Sequence, residues 1–239
     1  MSHLVESMAY VERSAADRPW WEGMAGTDGL GVSLEPGTSV LAAMQAAKLD
    51  WMVRTMPLRT ENPRREEPGQ APWLEVPGHS ALVRSTDSSV FDVVGSRFQP
   101  VQNGDILRMF YQFCEATGST IETVGALDGG RDVWSLARMP DGGQFELPGG
   151  DESLAYLLLH NPHRLGRSIR VQFTSVRVVC WNTLTFALTA GNEVYRQSHA
   201  SRASGWRSSG TQEDYSRTCK IRRDMVRYQL TAHRSRGSM

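Results

Sequence analysis

Two runs of strand-forming residues, Thr120 to Leu127 and Arg131 to Arg138, are parted only by Asp128-Gly129-Gly130. A link this short has no room for a crossover, so the two runs must pair antiparallel, and adjacent glycines make the positive φ of a tight reversal cheap. Ala81 to Arg84 and Val90 to Val94 repeat the arrangement around the polar turn Ser85-Thr86-Asp87-Ser88-Ser89. Two such hairpins commit the chain to a largely antiparallel sheet, and the next question is what covers it.

Helical periodicity supplies the cover. Ile106, Met109, Phe110 and Phe113 form one apolar stripe, with Asn103 placed to cap it, Asp105 in its first turn and Gly118 to end it. Gln99, Gln102 and Asn103 around Pro100 are read as satisfying backbone groups at this helix start rather than a ligand. Val40, Ala43, Met44, Ala47 and Trp51 recur at helical spacing, which predicts a helix over Thr38 to Trp51 capped by Thr38 or Ser39. Leu154 to Leu159 is apolar almost throughout and reads as a strand covered on both faces. In Ile169 to Phe173, Ile169, Val171 and Phe173 point inward while Arg170 and Gln172 point out. Ser175 is expected to cap a last helix whose buried stripe is Val176, Val179, Cys180, Thr183, Ala187 and Leu188, stopped by Gly191. The order of elements predicts an α+β fold, a largely antiparallel sheet with helices on one face.

The 239 residues, 40% apolar and 22% charged, are enough for one real core. Residues 1–37, with Trp20 and Trp21 but little periodicity, are expected to be an irregular N-terminal arm. Residues 38–60 are expected to be a helix and connection, 61–78 a mobile Pro- and charge-rich linker, 79–191 the α+β core domain, and 192–239 a basic, poorly structured tail. No apolar run approaches the roughly 18 residues of a membrane span, and a signal-peptide layout is missing, so a cytoplasmic protein without membrane contact is expected. Cys114, Cys180 and Cys219 are widely spaced and suggest neither a disulfide framework nor a zinc ribbon. Charge is uneven although the net is zero: residues 196–239 hold 10 basic and 3 acidic side chains. Such an end can hold polyanions or can be merely solvated, and both readings stay open.

Several segments carry a resemblance: Ser7-Met8-Ala9-Tyr10-Val11 with the later Gly29-Leu30-Gly31, Asp50-Trp51, Val94 to Asn103, Gly125 to Ala137, Leu157 to Asn161, and Arg177 to Leu184. Together, over residues 7 to 190, they resemble a family named for domain of unknown function 932, known mainly from phages, prophages and plasmids and sometimes called phage/plasmid-like proteins. The resemblance implies a mobile-element origin and brings no established activity. Where that family tends to show Asn-Ser-His-Asp-Gly, this chain has Asn161-Pro162-His163-Arg164-Leu165-Gly166, which removes the acidic residue. Members are usually longer, and residues 196–239 do not resemble the family's continuation.

Arginine placement is the remaining functional signal. The chain has 24 Arg and only Lys48 and Lys220. Arg164, Arg167, Arg170 and Arg177 fall in a loop, on the polar face of a strand and at a helix start, and Arg97 and Arg131 could extend the set. If they converge, they can contact successive phosphates. Trp134, Trp181 and Phe98 lie near them in sequence, and single-strand binders combine such aromatics with basic grooves. The expectation is therefore sequence-tolerant binding of a nucleic acid, single-stranded DNA foremost, in replication, recombination or repair of a mobile element, with Trp134 as the stacking platform and with no metal or other cofactor. A homo-oligomer is one expected form. The alternatives are a protein-interaction module acting through the arm and linker, or a hydrolase built on Cys180 and His163 with Asn182. Against the last, Cys180 falls on an apolar stripe, and His160 and His163 lack a carboxylate or cysteine nearby in sequence to complete a metal set.

Overall fold

In chain order the computed structural model places β1 (Val5–Val11), β2 (Gly31–Leu34), α1 (Val40–Ala46), β3 (Val53–Glu61), β4 (Trp73–Arg84), β5 (Val90–Gly95), α2 (Asn103–Thr117), β6 (Thr120–Leu127), β7 (Asp132–Arg138), β8 (Phe145–Glu146), β9 (Glu152–Ser153), β10 (Tyr156–Pro162), β11 (Ser168–Thr174), α3 (Trp181–Ala190) and β12 (Asn192–Ser198). The structure describes residues 4–13, 15, 18–19, 31–140, 145–146, 152–153 and 155–199. The basic residues after 199, Trp20 and Trp21 lie outside them. Among the described residues, no helix is long and apolar enough to cross a membrane.

Both expected hairpins form. Asp128, Gly129 and Gly130 all take positive φ, 51°, 65° and 86°, and β6 pairs antiparallel with β7 from Leu127↔Asp132 outward. β4 and β5 pair around the Ser85 to Ser89 turn. The main sheet has seven strands in the order β12-β11-β10-β7-β6-β1-β2, antiparallel except that β2 runs parallel to β1. β3, β4 and β5 form a second sheet, and β8 pairs with β9. The fold is α+β.

The main sheet is covered on both faces, which corrects the expectation of helices on one. One core unites Ala43, Met44, Ile106 and Phe110 of α1 and α2 with Leu82 and Phe91 of the second sheet and with Val124, Val133, Leu157 and Ile169 of the main sheet. A second core, across the sheet, joins Tyr10, Trp134, Leu136 and Leu158 to Val178, Cys180, Leu184 and Ala187 in and before α3. All of β10 is buried, as its continuous apolar run requires, because a strand buried on both faces needs a layer on each.

The region read as an irregular arm contains β1, an inner strand between β6 and β2 with Met8, Ala9 and Tyr10 at most 1% exposed. With both faces covered it shows no alternation, so periodicity could not reveal it. The region read as a linker is the tip loop of a β-ribbon together with the first half of β4. β3 and β4 pair from Val53↔Arg84 to Glu61↔Trp73, and Asn62 closes the tip by donating from its backbone N to Pro72 and from Nδ2 to the Ala71 carbonyl. Most of its side chains are exposed, so its composition is that of a loop while its backbone hydrogen bonds make it a sheet. The tail likewise begins with β12, the edge strand beside β11.

The helix limits shift too. Ser39 caps α1, accepting from Ala42 N, but α1 ends at Ala46 and Lys48 has a φ of 52°, so Trp51 enters the core from the connection before β3. α2 runs to Gly118, which sits at φ 70° as expected. Its N-cap is Gln102 rather than Asn103, and the Gln102 amide instead accepts from Val53 N and donates to the Val53 carbonyl. Ser175 caps nothing. Val176, Val178 and Val179, all β-branched, precede α3, which starts after Cys180, where the Thr183 hydroxyl accepts from Cys180 N.

Candidate functional site

Register builds the site. Trp134, His160 and Arg170 are direct neighbours across β7, β10 and β11, so all three project from the same face of the main sheet, the one α3 covers. The turn after β10 brings Arg164 and Arg167 to the same end. Between this corner and α3 lies a cleft of 280 Å³, with Arg164, Arg167, Ser168 and Arg170 on one side, Trp181, Leu184, Thr185, Leu188 and Thr189 on the other, and Asp132 and His160 at its floor. The helical residues fall at spacings of three and four, as one face of a helix must.

The charges are partly spent inside the protein. Arg164 donates from Nε and Nη2 to Asp132 Oδ2 at 2.9 and 2.7 Å, pairs with Asp128 as well, and lies over the Trp181 ring at 5.8 Å. Burial opposes its charge, but Asp132 and then Asp128 raise its pKa above the ordinary arginine value. Burial also works against the Asp132 carboxylate. The His160 hydrogen bond at 2.9 Å and the Arg164 guanidinium outweigh it, and the carboxyl ends below its usual range. Arg170 stands 3.7 Å from Glu193. Arg167 is exposed, with no ion-pair or hydrogen-bond partner among the described residues. It is the one guanidinium of the cleft whose charge is uncommitted.

The structure thus brings together Arg164, Arg167 and Arg170, and places the other expected residues elsewhere. Arg177 pairs with the buried Glu122 at 3.5 Å, at the opposite end of β6. Arg131 donates to the Phe91 carbonyl and stands 3.6 Å from Asp128. Arg97 is exposed beyond the end of β5, in the other sheet. Trp134 cannot stack on a base: it is fully buried, donates from Nε1 to Thr123 Oγ1 at 3.1 Å, and covers Gly125, where an added Cβ would lie 2.5 Å from the ring. Trp181 is the aromatic that reaches the cleft. Thr185 and Thr189 had no individual signal in the sequence, and His160 stood out there only as a metal ligand lacking partners. The two aspartates flanking the Gly129-Gly130 turn were visible, but their pairing with Arg164 needs the strand order.

No nucleophile assembles from Cys180 and His163. Cys180 is buried, its Sγ 3.4 Å from the Thr183 hydroxyl, in the core beneath α3. His163 lies on the other side of the sheet, fully buried and stacked on Phe91 at 5.8 Å, with Nε2 3.0 Å from Asn103 Oδ1. Burial, reinforced by nearby His199, lowers its pKa to about 3. Among the described residues no three His, Cys, Asp or Glu are placed to hold a metal ion.

A family model described as Domain of unknown function (DUF932) matches residues 90–234, more than half of the chain. The match starts at β5, so the resemblance seen from residue 7 is wider at that end, and it runs through the basic segment after residue 196, which is therefore family sequence. No curated protein and no solved structure matches.

Proposed function

The chain belongs to the DUF932 family, whose description assigns no activity, and we propose from its own geometry that the cleft between α3 and the β10–β11 corner binds the phosphate backbone of a nucleic acid. Single-stranded DNA in the cytoplasm of a cell carrying a phage or plasmid is the expected partner, in replication, recombination or repair. The observation that carries the reading is the gathering of Arg164, Arg167 and Arg170 beside Trp181 in one concavity. Arg164 is held by two aspartates, which leaves Arg167 and, once it exchanges its 3.7 Å pairing with Glu193, Arg170 to neutralise phosphates, so the salt dependence is weak. For single strands each neutralised phosphate contributes about −0.7 to the slope of log K against log salt, so two give about −1.4. Fluorescence anisotropy of labelled single- and double-stranded oligonucleotides with the full chain tests this. Arg167→Ala should weaken binding and reduce the slope by about 0.7. Saturable binding unchanged by both Arg167→Ala and Arg170→Ala refutes the cleft as the site.

A second reading has its own observation. Six of the eleven exposed large hydrophobics among the described residues, Met52, Met56, Trp73, Leu74, Val90 and Val93, lie on or beside the β3-β4-β5 sheet. Met56, Ala81 and Val93 are aligned across its three strands. An apolar face of this kind suits a protein partner or a second copy of the chain. Pro57 and the irregular register beside it blunt the β3 edge, so a partner would meet the face. Loss of an oligomer in light scattering with Met56→Glu would support self-association, and a monomer at all concentrations would exclude it.

A further inference from the structure

The two walls of the cleft differ in chemistry. α3 has no charged residue in its ten, and it turns Trp181, Leu184 and Leu188 toward the cleft as one apolar stripe. The facing wall carries guanidinium groups. At 280 Å³ the cavity lies just below the roughly 300–1,000 Å³ of ordinary small-molecule sites, so it has room for one ring system with its substituents and none for a run of several bases. A groove that tracks a backbone would instead be long and open, with cations repeated along it.

We propose that this cleft is a pocket for a single nucleotide unit, with the base laid against the α3 wall and the phosphate held at the mouth by Arg167 and Arg170. The inference rests on the polynucleotide reading and specifies it: a strand is gripped through one extruded nucleotide, not followed along a groove. Electrostatics sets the direction of entry. The floor holds the Asp132 carboxylate, kept ionised by His160 and Arg164, and it repels a phosphate from the deep end. Arg167, exposed and without a partner among the described residues, attracts one at the mouth. Arg164 closes the inner end by lying over Trp181, and its charge is already matched by Asp128 and Asp132, so it serves as structure. The Thr185 and Thr189 hydroxyls line the same wall as the apolar stripe and can meet polar edges of the base or sugar.

The test uses the full chain and a labelled single-stranded oligonucleotide displaced by each of the four nucleoside monophosphates, by a nucleoside and by ribose 5-phosphate. At least one monophosphate should displace the strand, ribose 5-phosphate should compete about tenfold more weakly, the order that one stacked base contributes, and the nucleoside, which lacks the phosphate held by Arg167 and Arg170, should also compete more weakly than the monophosphate. Thr185→Trp, an exposed position of α3 whose larger side chain fills the cavity, should weaken monophosphate and strand by about tenfold alike while thermal unfolding confirms an intact fold. A strand that binds but is displaced by no monophosphate and ignores Thr185→Trp overturns the pocket and leaves phosphate-backbone binding standing. Monophosphate binding without strand binding supports the pocket and overturns the polynucleotide reading. Binding of neither overturns both.

Discussion

Acidification from pH 7.5 to 5.0 should cost this protein about 2 kcal/mol of stability through His163 alone. The ring is fully buried between aromatic neighbours, at 5.5 Å from Trp51 and 5.8 Å from Phe91, and it is held neutral with a pKa of about 3. In the unfolded chain the same ring titrates near 6.5, so between these values the unfolded state binds the extra proton and folding must give it up. Stability from this group is complete above about pH 6.5 and falls as pH drops through that value toward 3. At pH 5.0 the difference is about 1.5 pH units of proton uptake, or roughly 2 kcal/mol. The lowered pKa of His199 acts in the same direction. Asp132 has a lowered carboxyl pKa, so its contribution is present above about pH 4 and lost only below it, outside this window. Urea unfolding followed by tryptophan fluorescence measures the change. His163→Gln keeps a donor for Asn103 Oδ1 without a titrating group, and it should be less stable at pH 7.5 but lose about 2 kcal/mol less on acidification. A wild-type stability that is flat from pH 7.5 to 5.0, or a pH dependence that His163→Gln leaves unchanged, refutes the reasoning.

Three further outcomes follow from packing and from the cleft. Trp134→Ala should cost about 3–5 kcal/mol in denaturant unfolding, because it empties a fully buried site and removes the Nε1 donor from the Thr123 hydroxyl, which keeps only its own donation to the Val178 carbonyl. Trp181→Ala should reduce oligonucleotide affinity by about tenfold, with thermal unfolding showing a folded protein; equal damage to the fold from both would contradict their assigned roles. Gly125→Ala should destabilise by about 1–3 kcal/mol in the same unfolding assay, since the new Cβ would sit 2.5 Å from both the Ser7 carbonyl and the Trp134 ring, and an unchanged midpoint would show that the strand pair has slack.

Local chemistry makes part of this molecule legible from its sequence. The Gly129-Gly130 reversal, the Ser85 to Ser89 turn, the α2 stripe with Gly118 and the doubly covered β10 were each declared by residues within one element, and each is formed. The failures share a cause. β1 and the ribbon of β3 and β4 are strands whose two faces see the same environment, buried in one case and solvated in the other, so neither alternates. The segment before α3 looks helical in sequence because Val176, Val179, Cys180 and Thr183 fall at helical spacing. Its valines lower helix propensity, and Val178 and Val179 reach the core from a segment without regular structure.

The candidate site shows the same division more sharply. That Arg164, Arg167 and Arg170 would sit near one another follows from their spacing around a single strand-to-strand turn, and so does the antiparallel character of the sheet from its short hairpins. Whether their charges remain available was a question of strand order. Placing β7 beside β10 sets Asp132 against Arg164 and His160, and seating α3 on that face buries Trp134 and turns Trp181 to the cleft. Turn and period are properties of neighbouring residues, whereas ion pairing and the choice of exposed aromatic depend on contacts between residues tens of positions apart, which only the packed sheet brings within a few ångströms.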